Sequence, residues 1–184
     1  MKQFFLIIIS GFVTFLPAQE LKPLLKEQLE GTYSKQEWFV PLKRAIDGLT
    51  LEQINWKSRP ENNSIANLVS HLLFWNERQL IAFKGDSLPE FNGDNDSTFR
   101  KFGATDWNST LIKLDSVQLL WKQSLDEADL KKLNEWQQEL LHMCNHMAYH
   151  TGQIVYMRKE NRWWQHNSIA KLEKIPSNRF KRLH

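Results

Sequence analysis

The segment from about Leu133 to Lys159 most constrains the fold. Trp136, Leu140, Met143, Met147, Thr151 and Ile154 recur there at helical spacing and define one apolar arc. A second stretch repeats the pattern. Ser64 fits an N-cap, and Ile65, Leu68, Val69, Leu72, Leu73 and Leu80 follow on one face. Only 7 glycines and 6 prolines occur in 184 residues, which argues against an all-β domain built on tight turns. With 41% hydrophobic residues and 8 tryptophans, one domain can bury a substantial core.

The expected fold class is therefore all-α, with four main helices. The first spans about Leu21 to Asp47, with a kink or break at Pro41. Residues 50–63, with Pro60-Glu-Asn-Asn, read as a loop before the helix opened by Ser64. The third helix is expected over about Asp106 to Leu125, and the fourth over Leu133 to Lys159. Residues 84–105 form a polar, turn-rich connection long enough to cross a bundle or line a site. Asp94 and Asp96 begin like a calcium loop, but the downstream glycine and glutamate it requires are missing.

Residues 1–19 read as a secretory signal peptide, leaving 20–184 as the mature domain. Lys2 is the only charge before Glu20, and an apolar run from Phe4 to Leu16 ends in Pro17-Ala18-Gln19. That run is short for a bilayer span, and no cysteine follows it to anchor a lipoprotein. An uncleaved anchor is the alternative. Export to the periplasm or medium is the expected localisation, with no stable membrane span after cleavage. A net charge of +3 without a basic, aromatic-interleaved stripe gives no support for nucleic-acid binding. The basic residues after Trp164 read as a solvated tail.

Candidate chemistry centres on histidines. His146 and His150 stand four apart on the last helix, so their rings lie within about 40° of each other, one turn apart. Two imidazoles so placed can chelate one ion. His142 extends the stripe by a turn, and His71 in the second helix can supply a third ligand. Three imidazoles leave a coordination position open, so the metal can acidify a water or stabilise a thiolate. A hydrogen-bonded core histidine is the plainer reading of each, and no glutamate follows His146 as in a zincin. Gln153 and His142 are candidates for contacts to the ligands or to substrate. The single cysteine, Cys144, points about 160° away from His146 and reads as a buried small apolar residue.

The chain resembles the DinB-like superfamily. The resemblance lies in Asn63-Ser64-Ile65, His71-Leu-Leu-Phe-Trp-Asn-Glu-Arg78 and Asn145-His-Met-Ala-Tyr-His150-Thr-Gly-Gln-Ile-Val155, over essentially the whole mature chain. It is nearest to an uncharacterised branch. It implies a four-helix bundle with a long crossover between helices two and three, here residues 84–105. It also implies a metal triad of His71, His146 and His150. The cofactor implied is a divalent metal, zinc or nickel first, with iron or copper also within reach of three imidazoles.

Relatives include thiol transferases and thiol-dependent isomerases using low-molecular-weight thiols such as bacillithiol or mycothiol. The expected partner is thus a small-molecule substrate, such as a low-molecular-weight thiol, with a homodimer left open. Export departs from that picture, because those thiols are mainly cytosolic. Metal-assisted hydrolysis is therefore a close rival, and a non-enzymatic metal-binding or stress-associated protein is the alternative outside the enzymes. Ligation also implies acid sensitivity of the metal-bound protein, with little in the metal-free one.

If residues 1–19 are removed on export, the mature N-terminus falls near Gln19 or Glu20. Mass spectrometry of protein from the native host checks this; intact Met1 on cytosolic protein overturns it.

Overall fold

The computed structural model describes residues 21–164, so the segment expected to be a signal peptide and the basic tail lie outside the described residues. Among the described residues six α-helices follow in order: α1 (Leu21–Tyr33), α2 (Leu42–Ala45), α3 (Leu51–Asn55), α4 (Ile65–Lys84), α5 (Ala104–Glu127) and α6 (Leu130–Glu160). Among the described residues there are no strands. The protein is all-α, as its sequence predicts. None of the described helices is long and apolar enough to cross a membrane.

The long helices begin where their capping chemistry places them. Ser64 accepts from the Asn67 amide, and the Asn67 side chain accepts from the Ser64 amide, so both orphan donors are satisfied. Asp129 caps α6 through the Lys132 amide at 2.8 Å. At its far end α4 stops at Gly85, whose φ of 83° suits glycine.

Two expectations at the N-terminal end need correction. The predicted helix over 21–47 is two pieces: α1 stops at Tyr33, and α2 begins only after Pro41. Proline disfavours helical backbone at the preceding Val40, so a helix cannot run through smoothly. Within the predicted loop 50–63 lies α3, held by a capping box between Thr50 and Gln53.

The packing is a four-helix arrangement in which α1 and α4 each contact both α5 and α6. Phe83 packs on Trp136 with centroids 5.4 Å apart, while His71 meets His146 and His150 from the same pair of helices. These contacts show that α4 and α6 run antiparallel. Trp121, Phe83, Leu72, Leu114, Met147 and Ile154 are fully buried between the helices. Full burial of such a side chain contributes about 1.5–3 kcal/mol.

Residues 86–103 join α4 to α5 and include a 3-10 turn, Asn95–Thr98, which lies against α4. Asp94 accepts from the Asp96 amide at 3.0 Å and caps that turn. Polar side chains on α4 fasten the strap beyond it. Asn67 donates to the carbonyls of Phe99 and Arg100, at 3.3 and 2.8 Å. Ser70 donates to the Thr98 carbonyl and accepts from the Arg100 amide, at 2.8 and 2.7 Å.

Arg158 ties α6 to the end of α2 and the residues just after it. Its guanidinium donates to the carbonyls of Ala45 and Asp47, both at 2.8 Å, and stacks on Trp164. Replacing it by methionine keeps the stem but removes these bonds and a longer one from Nη2 to the Trp163 carbonyl. Arg158→Met is expected to lower the unfolding free energy by about 2 kcal/mol, measured by chemical denaturation; unchanged stability would mean water satisfies those carbonyls equally well.

Candidate metal centre

Antiparallel packing of α4 against α6 brings His71, His146 and His150 together. One ring nitrogen from each lies within 4.8 Å of the other two. The Nε2 atoms of His71 and His146 face each other at 3.0 Å. Ring centroids are 4.9 Å apart for His71 and His146, 5.0 Å for His71 and His150, and 4.6 Å for His146 and His150. His71 and His150 are buried, and His146 is half-buried. The predicted core arc of α6 is also in place: Leu140, Met143, Met147, Thr151 and Ile154 are buried, with Trp136 partly so.

The surroundings fix where the protons sit on two of the rings. Thr98 donates its hydroxyl proton to the Asn95 carbonyl at 2.6 Å. It must therefore accept from His71, whose Nδ1 lies 2.6 Å away. His150 Nδ1 is 2.7 Å from the Gln153 side-chain oxygen, which only accepts. With Nδ1 protonated, a neutral ring carries its lone pair on Nε2. In this way His71 presents its lone pair to His146, and the Nε2 of His150 is likewise left unprotonated.

Phe99 stacks on the His71 ring at 4.0 Å and 7° and covers one face. Trp75 meets the His71 ring edge-on, with centroids 6.4 Å apart. The histidines border a cavity of about 490 Å³, whose walls include Trp75, Phe99 and Met143 and whose polar lining includes Asn95, Gln79 and Glu139.

Burial shapes the acid–base behaviour. It pushes His71 down to about 4, with the neighbouring His146 and His150 as further causes. His146 also falls to about 4, through burial and then His150. Burial lowers His150 as well, opposed by its bond to Gln153. All three are neutral at neutral pH, the form that ligates metal.

His142 is exposed on the cavity's edge and is not part of the three-histidine cluster. Gln153 touches His150, as described. Cys144 is buried in the core, and burial raises its thiol to about 11. Thr98 and Phe99 were not singled out by sequence reasoning; the unusual length of the connection that carries them was the available signal. Among the described residues, Asp94 and Asp96 belong to no histidine or carboxylate cluster able to hold a metal.

The donor set fits a divalent ion. Metal–nitrogen bonds of about 2.0–2.1 Å put tetrahedral nitrogens about 3.3 Å apart; His71 and His146 stand at 3.0 Å, and a His150 nitrogen lies within 4.8 Å of both. A helical bundle with three neutral imidazoles converging beside a cavity defines a class of candidate metalloproteins. The DinB superfamily matches residues 41–154, and the chain belongs to that superfamily. The match leaves out α1, so it is narrower than the resemblance over the whole mature chain. No curated protein and no solved structure matches the chain.

The low histidine values give the metal-free protein an acid sensitivity of its own, beyond the little that the sequence leads one to expect. Each folded-state value lies below the unfolded value of 6.5. The stability from keeping these rings neutral is therefore complete above 6.5 and is lost as pH falls toward 4. Denaturation of chelator-treated protein across that window should show the loss, and His71→Gln/His146→Gln should flatten it. An equal slope in both proteins would assign the acid sensitivity to other groups.

Proposed function

We propose that this protein holds one divalent metal ion on His71, His146 and His150 and acts as an enzyme on a small molecule in the adjoining cavity. The reaction class is transfer of a thiol-type group, or hydrolysis. The observation that carries the reading is the convergence of three neutral ring nitrogens, two with Nδ1 protons held by Thr98 and Gln153. A cluster kept for packing alone has no need of outward acceptors that aim the lone pairs inward.

When bound, the ion supplies Lewis acidity, favouring the deprotonated form of a ligand atom. The chain's own residues do the rest. Thr98 and Gln153 fix the tautomers of His71 and His150. Phe99 shields one face of His71 from water, and Trp75 and Met143 offer an apolar wall to substrate. Cys144 is too buried to serve as nucleophile. A thiol in the reaction must therefore arrive as a substrate.

Zinc or nickel is proposed first, with iron or copper also suited to three imidazoles. Export through residues 1–19 remains part of the proposal, on the layout of that segment.

Metal content after purification tests the ligand set. Single replacement of His71, His146 or His150 by alanine should lower occupancy sharply, whereas His142→Ala should retain it. Thr98→Val should weaken metal affinity by about ten- to a hundredfold, since it removes the acceptor that orients His71. Full retention in His146→Ala/His150→Ala overturns the site. Thiol-transfer and ester-hydrolysis assays on the loaded protein then separate an enzyme from a protein that only sequesters metal.

A further inference from the structure

We infer that the cavity selects an elongated ligand bearing an anionic head for the histidine centre and a protonated amine at its far end, which Glu139 reads. The inference rests on the metal reading above and adds a substrate class to it.

The cavity follows the two antiparallel helices away from the histidines. Along α4 its lining passes from His71 to Trp75 to Gln79, in steps of four residues. Along α6 it passes from His150 and His146 to Met143, His142 and Glu139. Seven residues separate Glu139 from His146, an axial distance of about 10 Å, and the eight from His71 to Gln79 cover about 12 Å. Because the helices are antiparallel, Gln79 and Glu139 both lie toward the end remote from the histidines.

Charge is placed just as unevenly. Glu139 is the one carboxylate among the lining residues, and no lysine or arginine lines the cavity. Glu139 forms no salt bridge among the described residues. Between the two ends lie Trp75 and Met143, which offer no charge, and the exposed His142, one turn from Glu139; Phe99 stays at the histidine end, stacked on His71. A cationic centre at one end and a lone carboxylate at the other favour a ligand of the opposite polarity, with an apolar spacer between. A ligand with a carboxylate tail meets repulsion from Glu139.

Three thiols of equal chain length test this: ω-aminohexanethiol, hexanethiol and ω-sulfanylhexanoate. Dissociation constants are measured by calorimetry on the metal-loaded protein, with metal content determined on the same samples. The amine is expected to bind about fivefold more tightly than hexanethiol, and the carboxylate more weakly. Glu139→Gln should abolish the preference without changing metal content or hexanethiol affinity, and Glu139→Lys should reverse it. Because Glu139 is exposed, neither substitution disturbs the core. Equal affinities for the three thiols, or a preference that persists in Glu139→Gln, overturn the inference and leave the metal reading standing. Failure to retain metal overturns that reading and this one with it.

Discussion

The pairing of Asn67 and Ser70 with the strap at residues 98–100 is the contact on which the site depends. Neither side chain touches a histidine ring in the hydrogen-bond pattern. Their role is to satisfy backbone groups of Thr98, Phe99 and Arg100. Ordering a residue's backbone costs about 1–2 kcal/mol, so a polar connection needs several such bonds to lie still. Once it is fixed, Thr98 and Phe99 fall on His71, one as a hydrogen-bond acceptor and one as a stacked cover. Asn67 serves two ends at once, because its oxygen also closes the cap that starts α4. The start of the helix and the placement of the strap are therefore coupled through one side chain.

Burial and hydrogen bonding act together on the rings. Desolvation disfavours the imidazolium form, and each ring would repel the charge on another. The acceptors at Thr98 and Gln153 then choose which nitrogen keeps the proton. Desolvation alone gives neutral rings but leaves the tautomer open; the acceptors alone would favour the charged form, as the Gln153 bond does at His150. The combination leaves His71 and His150 neutral with Nε2 unprotonated, which suits a site that takes up a cation.

Much of this was legible in the sequence, for identifiable reasons. Helical spacing exposed α4 and α6 because both carry their apolar residues on one face over many turns. The four-residue spacing of His146 and His150 is local geometry, so it needed no tertiary information. Cys144 was readable the same way, from its angle on the helix. Less was visible where the structure rests on short elements or distant contacts. Thr50-x-x-Gln53 is a capping signal, but the five-residue helix it opens has too few apolar positions to show a period. The end of α1 at Tyr33 was missed because only Pro41 marked a break. Thr98 lies 27 residues from His71 in a polar stretch, and only folding reveals that it receives that ring's proton.

The position of the centre follows from how α6 divides its surface. Met143, Met147 and Ile154 insert into the core, while His146 and His150 occupy the flank beside them. A histidine deeper in the arc would be closed off from any ligand. One farther round would meet water and lose the desolvation that keeps it neutral. The core contacts also set the helix's axial position, since tightly packed interiors resist small displacements. A shift of α6 by one residue along its axis is about 1.5 Å, enough to break the 3.0 Å approach of His71 to His146. The histidine geometry is thus held by two independent constraints: buried apolar packing fixes α6, and the polar strap fixes the ring that α4 brings to meet it.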